Sequence, residues 1–116
     1  MSKISIAAAN STSDIEAAKF LHRRLKMSLI GSQKKLAMGD KGLFYTCELF
    51  GNDHVEREKE IRDIVNFFRS RKVPLIYIEI SSNQNWGDIK AEDLRKYYVE
   101  ESSVLNVLDE NHGFFE

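Results

Sequence analysis

A single cysteine, Cys47, in 116 residues rules out an internal disulfide and with it the stapled frameworks of small secreted proteins. One proline, Pro74, and six glycines leave little room for a long flexible linker. No run approaches the roughly 20 apolar residues of a membrane span. The opening stretch from Met1 to Asn10 has neither a charged lead nor a long apolar segment, so no signal peptide is expected. A cytoplasmic protein without membrane association is the expectation. Cysteine clusters are missing too, which excludes an iron–sulfur protein.

What is there suits one folded domain. The chain is long enough to bury one core, and we treat residues 1–116 as a single domain. Hydrophobic residues at 42% and charged residues at 30% argue against disorder of the whole.

The periodicities predict an ordered series of elements. Ile4, Ile6 and Ala8 alternate as one face of a short strand. Ser13 with Glu16 forms a capping-box pattern ahead of a helix to about Leu29, striped by Ala18, Leu21, Leu25 and Leu29 and stopped at Gly31. Gln33 to Met38 is a weaker strand candidate. With Gly39-Asp40-Lys41-Gly42 as loop it would form a hairpin with the strong strand Leu43 to Phe50. Both faces of that strand are largely apolar, which places it inside a sheet.

Asp53 and Glu56 repeat the capping box before a helix from about Val55 to Lys72, with Ile61, Ile64, Val65 and Phe68 as its buried stripe. Pro74 ends it, because the residue before proline avoids the α region. A strand Leu75 to Ile80 follows, with Ile76, Ile78 and Ile80 expected to face the helices and Tyr77 and Glu79 the other side. Beyond Ser81 a polar loop leads to a third helix, about Ala91 to Glu100. Val104 to Leu108 either continues that helix or forms a closing strand.

Strand, helix, strand, strand, helix, strand is the element order of the ferredoxin-like βαββαβ fold. The expected architecture is therefore an α+β sandwich over about residues 3–81, one sheet with helices on one face, plus a helical or strand extension over 82–116. The likeness is one of architecture and rests on no residue motif, so it does not select a function.

No chemistry-bearing motif survives its context. His22, His54 and His112 lie far apart without a second ligand at metal spacing, and Cys47 has no base near it in sequence. Gly39-Asp40-Lys41-Gly42 opens a strand, so it lacks the helix N-terminus of a phosphate loop. Neither catalytic residues, a cofactor nor a bound metal is expected, although a small enzyme of unidentified chemistry remains a third reading.

Charge is segregated instead. Residues 19–41 hold seven basic side chains against Asp40, a net +6, and residues 88–116 hold eight acids against three bases, a net −5. The plain alternative is that the two segments neutralise each other or are separately solvated. The leading expectation is a non-enzymatic protein–protein interaction module of the inhibitor, immunity or phage-type anti-defence kind, occluding a macromolecular partner. Its partner-binding residues would be Trp86, Asp88, Glu92, Asp93, Tyr97, Glu100, Glu101, Phe114 and Phe115, since aromatics anchor most interfaces. Homodimerisation through a sheet edge or the tail would use the same features. The alternative is an RNA-binding ferredoxin-like domain using Arg23, Arg24, Lys26, Lys34 and Lys35 against an anionic partner.

Overall fold

The structure, a computed structural model, describes residues 2–48, 54–81 and 97–112. Its elements are β1 (Ser2–Ala8), α1 (Ile15–Leu25), α2 (Leu29–Ala37), a 3₁₀ turn (Gly39–Lys41), β2 (Tyr45–Glu48), α3 (His54–Ser70), β3 (Leu75–Ser81), β4 (Tyr98–Val99) and α4 (Glu101–His112). The fold is α+β, with one four-stranded antiparallel sheet in the order β2-β1-β3-β4 and four helices.

β1 organises the sheet. It runs antiparallel to β2 on one side, Ile4 opposite Cys47 and Ile6 opposite Tyr45, and to β3 on the other, Ile4 opposite Glu79 and Ile6 opposite Tyr77. β2 and β3 are therefore parallel to each other with β1 between them, and α3 makes the crossing. Alternation assigns the faces. Ile4, Ile6, Ala8, Tyr45, Cys47 and Tyr77 pack with Ala17, Ala18 and Leu21 of α1, Ile61, Ile64, Val65 and Phe68 of α3, and Val104 and Leu108 of α4. Phe68 is completely buried, and it stacks on Phe44 at 5.4 Å between ring centroids. Phe20 stacks on Phe67 at 4.2 Å, which widens the α1 stripe. Burying a side chain of this size contributes about 1.5–3 kcal/mol.

Several sequence expectations are corrected. Gln33 to Met38 is not a strand, because Leu29–Ala37 is helix α2. Gln33, Lys34, Lys35, Leu36 and Ala37 are all good helix formers, and the Ser28 side chain caps the helix by accepting from the Gly31 N–H at 2.9 Å. Gly31 is thus inside a helix, not a stop. The stop comes earlier, at Lys26, whose backbone is left-handed at φ 59°. With no strand at 33–38 there is no hairpin, and the described elements do not follow the βαββαβ order. The two glycines serve the 3₁₀ turn instead. Gly39 adopts φ 63°, and a Cβ at Gly42 would lie 2.0 Å from the Lys35 carbonyl oxygen.

β2 lies at an edge of the described sheet, not inside it, and its outward residues Thr46 and Glu48 are exposed. β3 has the opposite face from that expected. Tyr77 joins the helix-side core, while Ile78 and Ile80 are buried on the other side of the sheet with Ser5 and Ala7. Period-two patterns leave this choice open when both faces are apolar. Tyr98 and Val99 form a strand where a helix to Glu100 was expected, and Val104 to Leu108 belongs to α4. The Asp53 cap lies outside the described residues.

The α1 start is also shifted by one residue. Asp14, not Ser13, is the cap, its Oδ1 accepting from the Glu16 and Ala17 N–H groups at 2.9 and 3.2 Å. Arg71, just beyond α3, donates to the same carboxylate at 3.1 and 3.2 Å. Those donors, Arg71 foremost, hold the Asp14 carboxyl below its ordinary value of 3.8. A depressed acid stabilises the fold above its unfolded pKa and loses that contribution as pH falls through the folded one. The stability advantage of the native protein over Asp14→Asn should therefore be full at about pH 7 and shrink as pH falls below the ordinary carboxyl value of 3.8. Urea unfolding of both proteins across that range measures it, and a pH-independent difference would contradict the assignment.

Candidate functional site

The arginines of α3 and its C-terminal turn tie the helices together. Arg62 donates to Glu58 at 3.2 Å, as its i, i+4 spacing predicts, and reaches Asp109 of α4 at 2.7 Å. Arg69 bonds Glu101 at the start of α4 at 2.5 Å. Arg57 pairs with Glu60 at 2.6 Å, and Arg24 of α1 spans Glu60 at 3.6 Å and Asp63 at 2.9 Å. These contacts use the carboxylates of α3 and α4 as structural partners. Exposed pairs of this kind contribute only about 0–1 kcal/mol each, so their value is mainly orientational.

This lattice decides where charge is left over. Glu101 and Asp109 of α4 are matched by arginines of α3, not by the basic segment near the N-terminus. Among the described residues Arg23, Lys26, Lys34, Lys35 and Lys41 form no ion pair. They sit on the last turn of α1, its cap, α2 and the turn that follows, and α1 and α2 pack against each other. The two charge segments do not neutralise each other within the described residues. Glu100, Glu101 and Asp109 are the acids of the second segment whose side chains are described, and none of them meets the basic segment.

Its apolar component was not foreseen. α2 turns Ser32 and Leu36 inward, and its outward side carries Ile30, 66% exposed, and Lys34, with Met38, 50% exposed, at its cap. Ile15 is exposed at the start of α1. That start is joined to the end of α2 by the Thr12 N–H donating to the Leu36 carbonyl at 3.0 Å. Counting residues 29–38 as a helix would have exposed this stripe, but reading 33–38 as a strand hid it.

The expected partner-binding set is placed only in part. Trp86, Asp88, Glu92, Asp93, Phe114 and Phe115 lie outside the described residues. Tyr97 is half-buried and Glu100 exposed. Glu101 is a fold residue as well as a surface acid, because the buried Tyr77 hydroxyl donates to its Oε1 at 2.5 Å while Arg69 holds Oε2. Burial first, and then the bond to Glu101, push the Tyr77 phenol up, so it stays a donor. The alternative basic set divides. Arg24 is engaged by Asp63 and Glu60, and Arg23, Lys26, Lys34 and Lys35 form no ion pair among the described residues.

An RNA-binding sheet would need aromatics on an open face, and the strand aromatics among the described residues do not supply them. Phe44, Tyr45 and Tyr77 are buried in the helix-side core, and the opposite face shows Ser5, Ala7, Ile78 and Ile80. Tyr45 instead meets a group that the sequence did not flag. Its hydroxyl donates to Glu60 at 3.0 Å, in a cleft of about 520 Å³ shared with Arg24, Lys26 and Arg57. Among the described residues no group of three or more histidine, cysteine or carboxylate side chains could hold a metal, and no helix is long and apolar enough to cross a membrane.

Glu100 and Glu101 give an internal comparison. Glu101→Ala leaves the Tyr77 hydroxyl buried without its acceptor and should cost about 1–3 kcal/mol. Glu100→Ala should stay within about 0.5 kcal/mol. Chemical denaturation of the two variants checks this, and equal stabilities would refute the structural role of Glu101. Comparison with protein-family models, curated proteins and solved structures finds no match to this chain.

Proposed function

We propose that the protein is a small non-enzymatic binding module that occludes an acidic surface of a protein partner through the outward side of α2. An inhibitor, immunity or anti-defence protein works in this way. The observation that carries the reading is the union of exposed Ile30 and Met38 with the unpaired Lys34 on one short helix. Interfaces combine an apolar centre with a polar rim, and the sign of this rim selects an acidic partner. The carboxylates of α3 and α4 support the non-enzymatic part, since Glu58, Glu60, Glu101 and Asp109 are each held by arginine.

The same unpaired cations favour a second reading, a nucleic-acid backbone as the anionic partner. Ile30 and Met38 separate the two, because phosphate contacts need no apolar anchor. The pair Ile30→Glu and Met38→Glu should weaken capture of the native partner about tenfold or more, given that a central anchor carries at least about 1.4 kcal/mol. Both positions are exposed, so the melting temperature should hold. If capture is unaffected and disappears with nuclease treatment, the nucleic-acid reading replaces this one. If it is lost only in the pair Trp86→Ala and Phe115→Ala, the interface is the C-terminal set.

A further inference from the structure

The cleft beside Lys26 is separate from the outward side of α2 and calls for a ligand of its own. It lies between the end of α1, the start of β2 and the first turns of α3. At about 520 Å³ it falls in the range of small-molecule sites. Leu25, Met27 and Phe44 give it an apolar wall, and Arg24, Lys26, Arg57, Tyr45 and Glu60 supply polar groups.

Among the described residues the two arginines of the cleft are each matched by a carboxylate, Arg57 by Glu60 at 2.6 Å and Arg24 by Asp63 at 2.9 Å, so one positive charge, that of Lys26, is left over. Glu60 also accepts from the Tyr45 hydroxyl at 3.0 Å and lies 3.6 Å from Arg24, so its oxygens are directed at groups of the cleft wall. Burial foremost, then Cys47 and Glu60, push the Tyr45 phenol up, which keeps that hydroxyl protonated and donating. The end of α1 adds about half a negative charge, which the cations outweigh.

Lys26 carries the argument furthest. It makes no ion pair among the described residues and lines the cleft from a left-handed backbone at φ 59°. Glycine is the usual residue at such a helix end, where a side chain is a cost. Lys72 follows α3 in the same conformation at φ 58°, so the backbone alone does not mark a site; the position of the Lys26 ammonium, without an ion pair among the described residues and beside a cleft that contains two arginines, places it for an anionic ligand.

We propose that this cleft binds a phosphomonoester carried on a small apolar or aromatic body. The phosphate, at about −1.5 to −2 near neutral pH, takes the unmatched charge of Lys26 as its main partner, with Arg24, already bonded to Asp63, as a further donor and Met27 and Phe44 against the body. The site goes beyond the proposed docking of α2, since it takes a small molecule and would exist in a protein that binds no macromolecule.

Phenyl phosphate is the probe, titrated into the isotopically labelled full chain and followed by amide shifts. Saturable shifts are expected at Lys26, Met27, Phe44 and Thr46 and not at Gln33. Lys26→Gly should weaken binding about tenfold by losing a charge-assisted hydrogen bond. Glycine suits φ 59°, so a folding defect cannot account for that loss. Lys34→Gln should bind as the native protein does. Benzyl alcohol, neutral with the same ring, should produce no saturable shift. The proposal is overturned if phenyl phosphate gives no saturable shift at these amides, if Lys26→Gly binds it equally well, or if benzyl alcohol matches it. Displacement by a single-stranded oligonucleotide at equal phosphate concentration would assign the phosphate to a nucleic-acid backbone and overturn the small-molecule source.

Discussion

The pairing of β1 with both neighbours is the constraint on which the rest of the architecture depends. Because β2 and β3 each run antiparallel to β1, the chain between them must cross the sheet, and α3 is that crossing. The crossing places Ile61, Ile64, Val65 and Phe68 over Ile4 and Ile6, all buried to within a few per cent. Once α3 is seated, its arginines fix the neighbours. Arg71, just past its end, completes the cap of α1, Arg62 and Arg69 hold α4, and Arg57 shares Glu60 with Arg24.

The proposed function rests on what this arrangement leaves unused. Charge segregation in a sequence is ambiguous, since opposite segments can meet and cancel. Here the α4 acids meet α3, and α1 and α2 keep cations without partners among the described residues. A surface lysine alone means little, as most are solvated. The same helix also exposes Ile30 and Met38, which folding does not require. Apolar and cationic groups together on one short helix are what the proposed docking to an acidic protein rests on.

The sequence made some of this legible. α3 was readable because its stripe, its terminal basic residues and Pro74 all agree, and its observed span of His54–Ser70 lies close to the expected one. β1 and β3 were readable as strands from alternation alone. Three things were not. α2 was hidden because Gly31 suggested a stop, while the true stop is a lysine in a conformation usually left to glycine. The face of β3 was undetermined because Tyr77 and Ile78 are both buried, and only the hydroxyl bond to Glu101 shows why the tyrosine takes the helix side. The Arg24–Glu60–Arg57 grouping joins one pair three positions apart, a helical spacing, and one pair 36 apart, which no local pattern encodes. The clearest sequence signals marked the scaffold, and the candidate surfaces emerged only from how α1, α2 and α3 pack.

Zero-length carbodiimide cross-linking in a nuclease-treated extract of the native host, read by mass spectrometry, tests the central claim most directly. It joins lysines to carboxylates in contact and so reports both partner and surface. Lys34, Lys35 or Lys41 joined to acidic residues of one partner protein is the predicted result. Partner links confined to Glu100 and other C-terminal carboxylates, with none from those lysines, would contradict it.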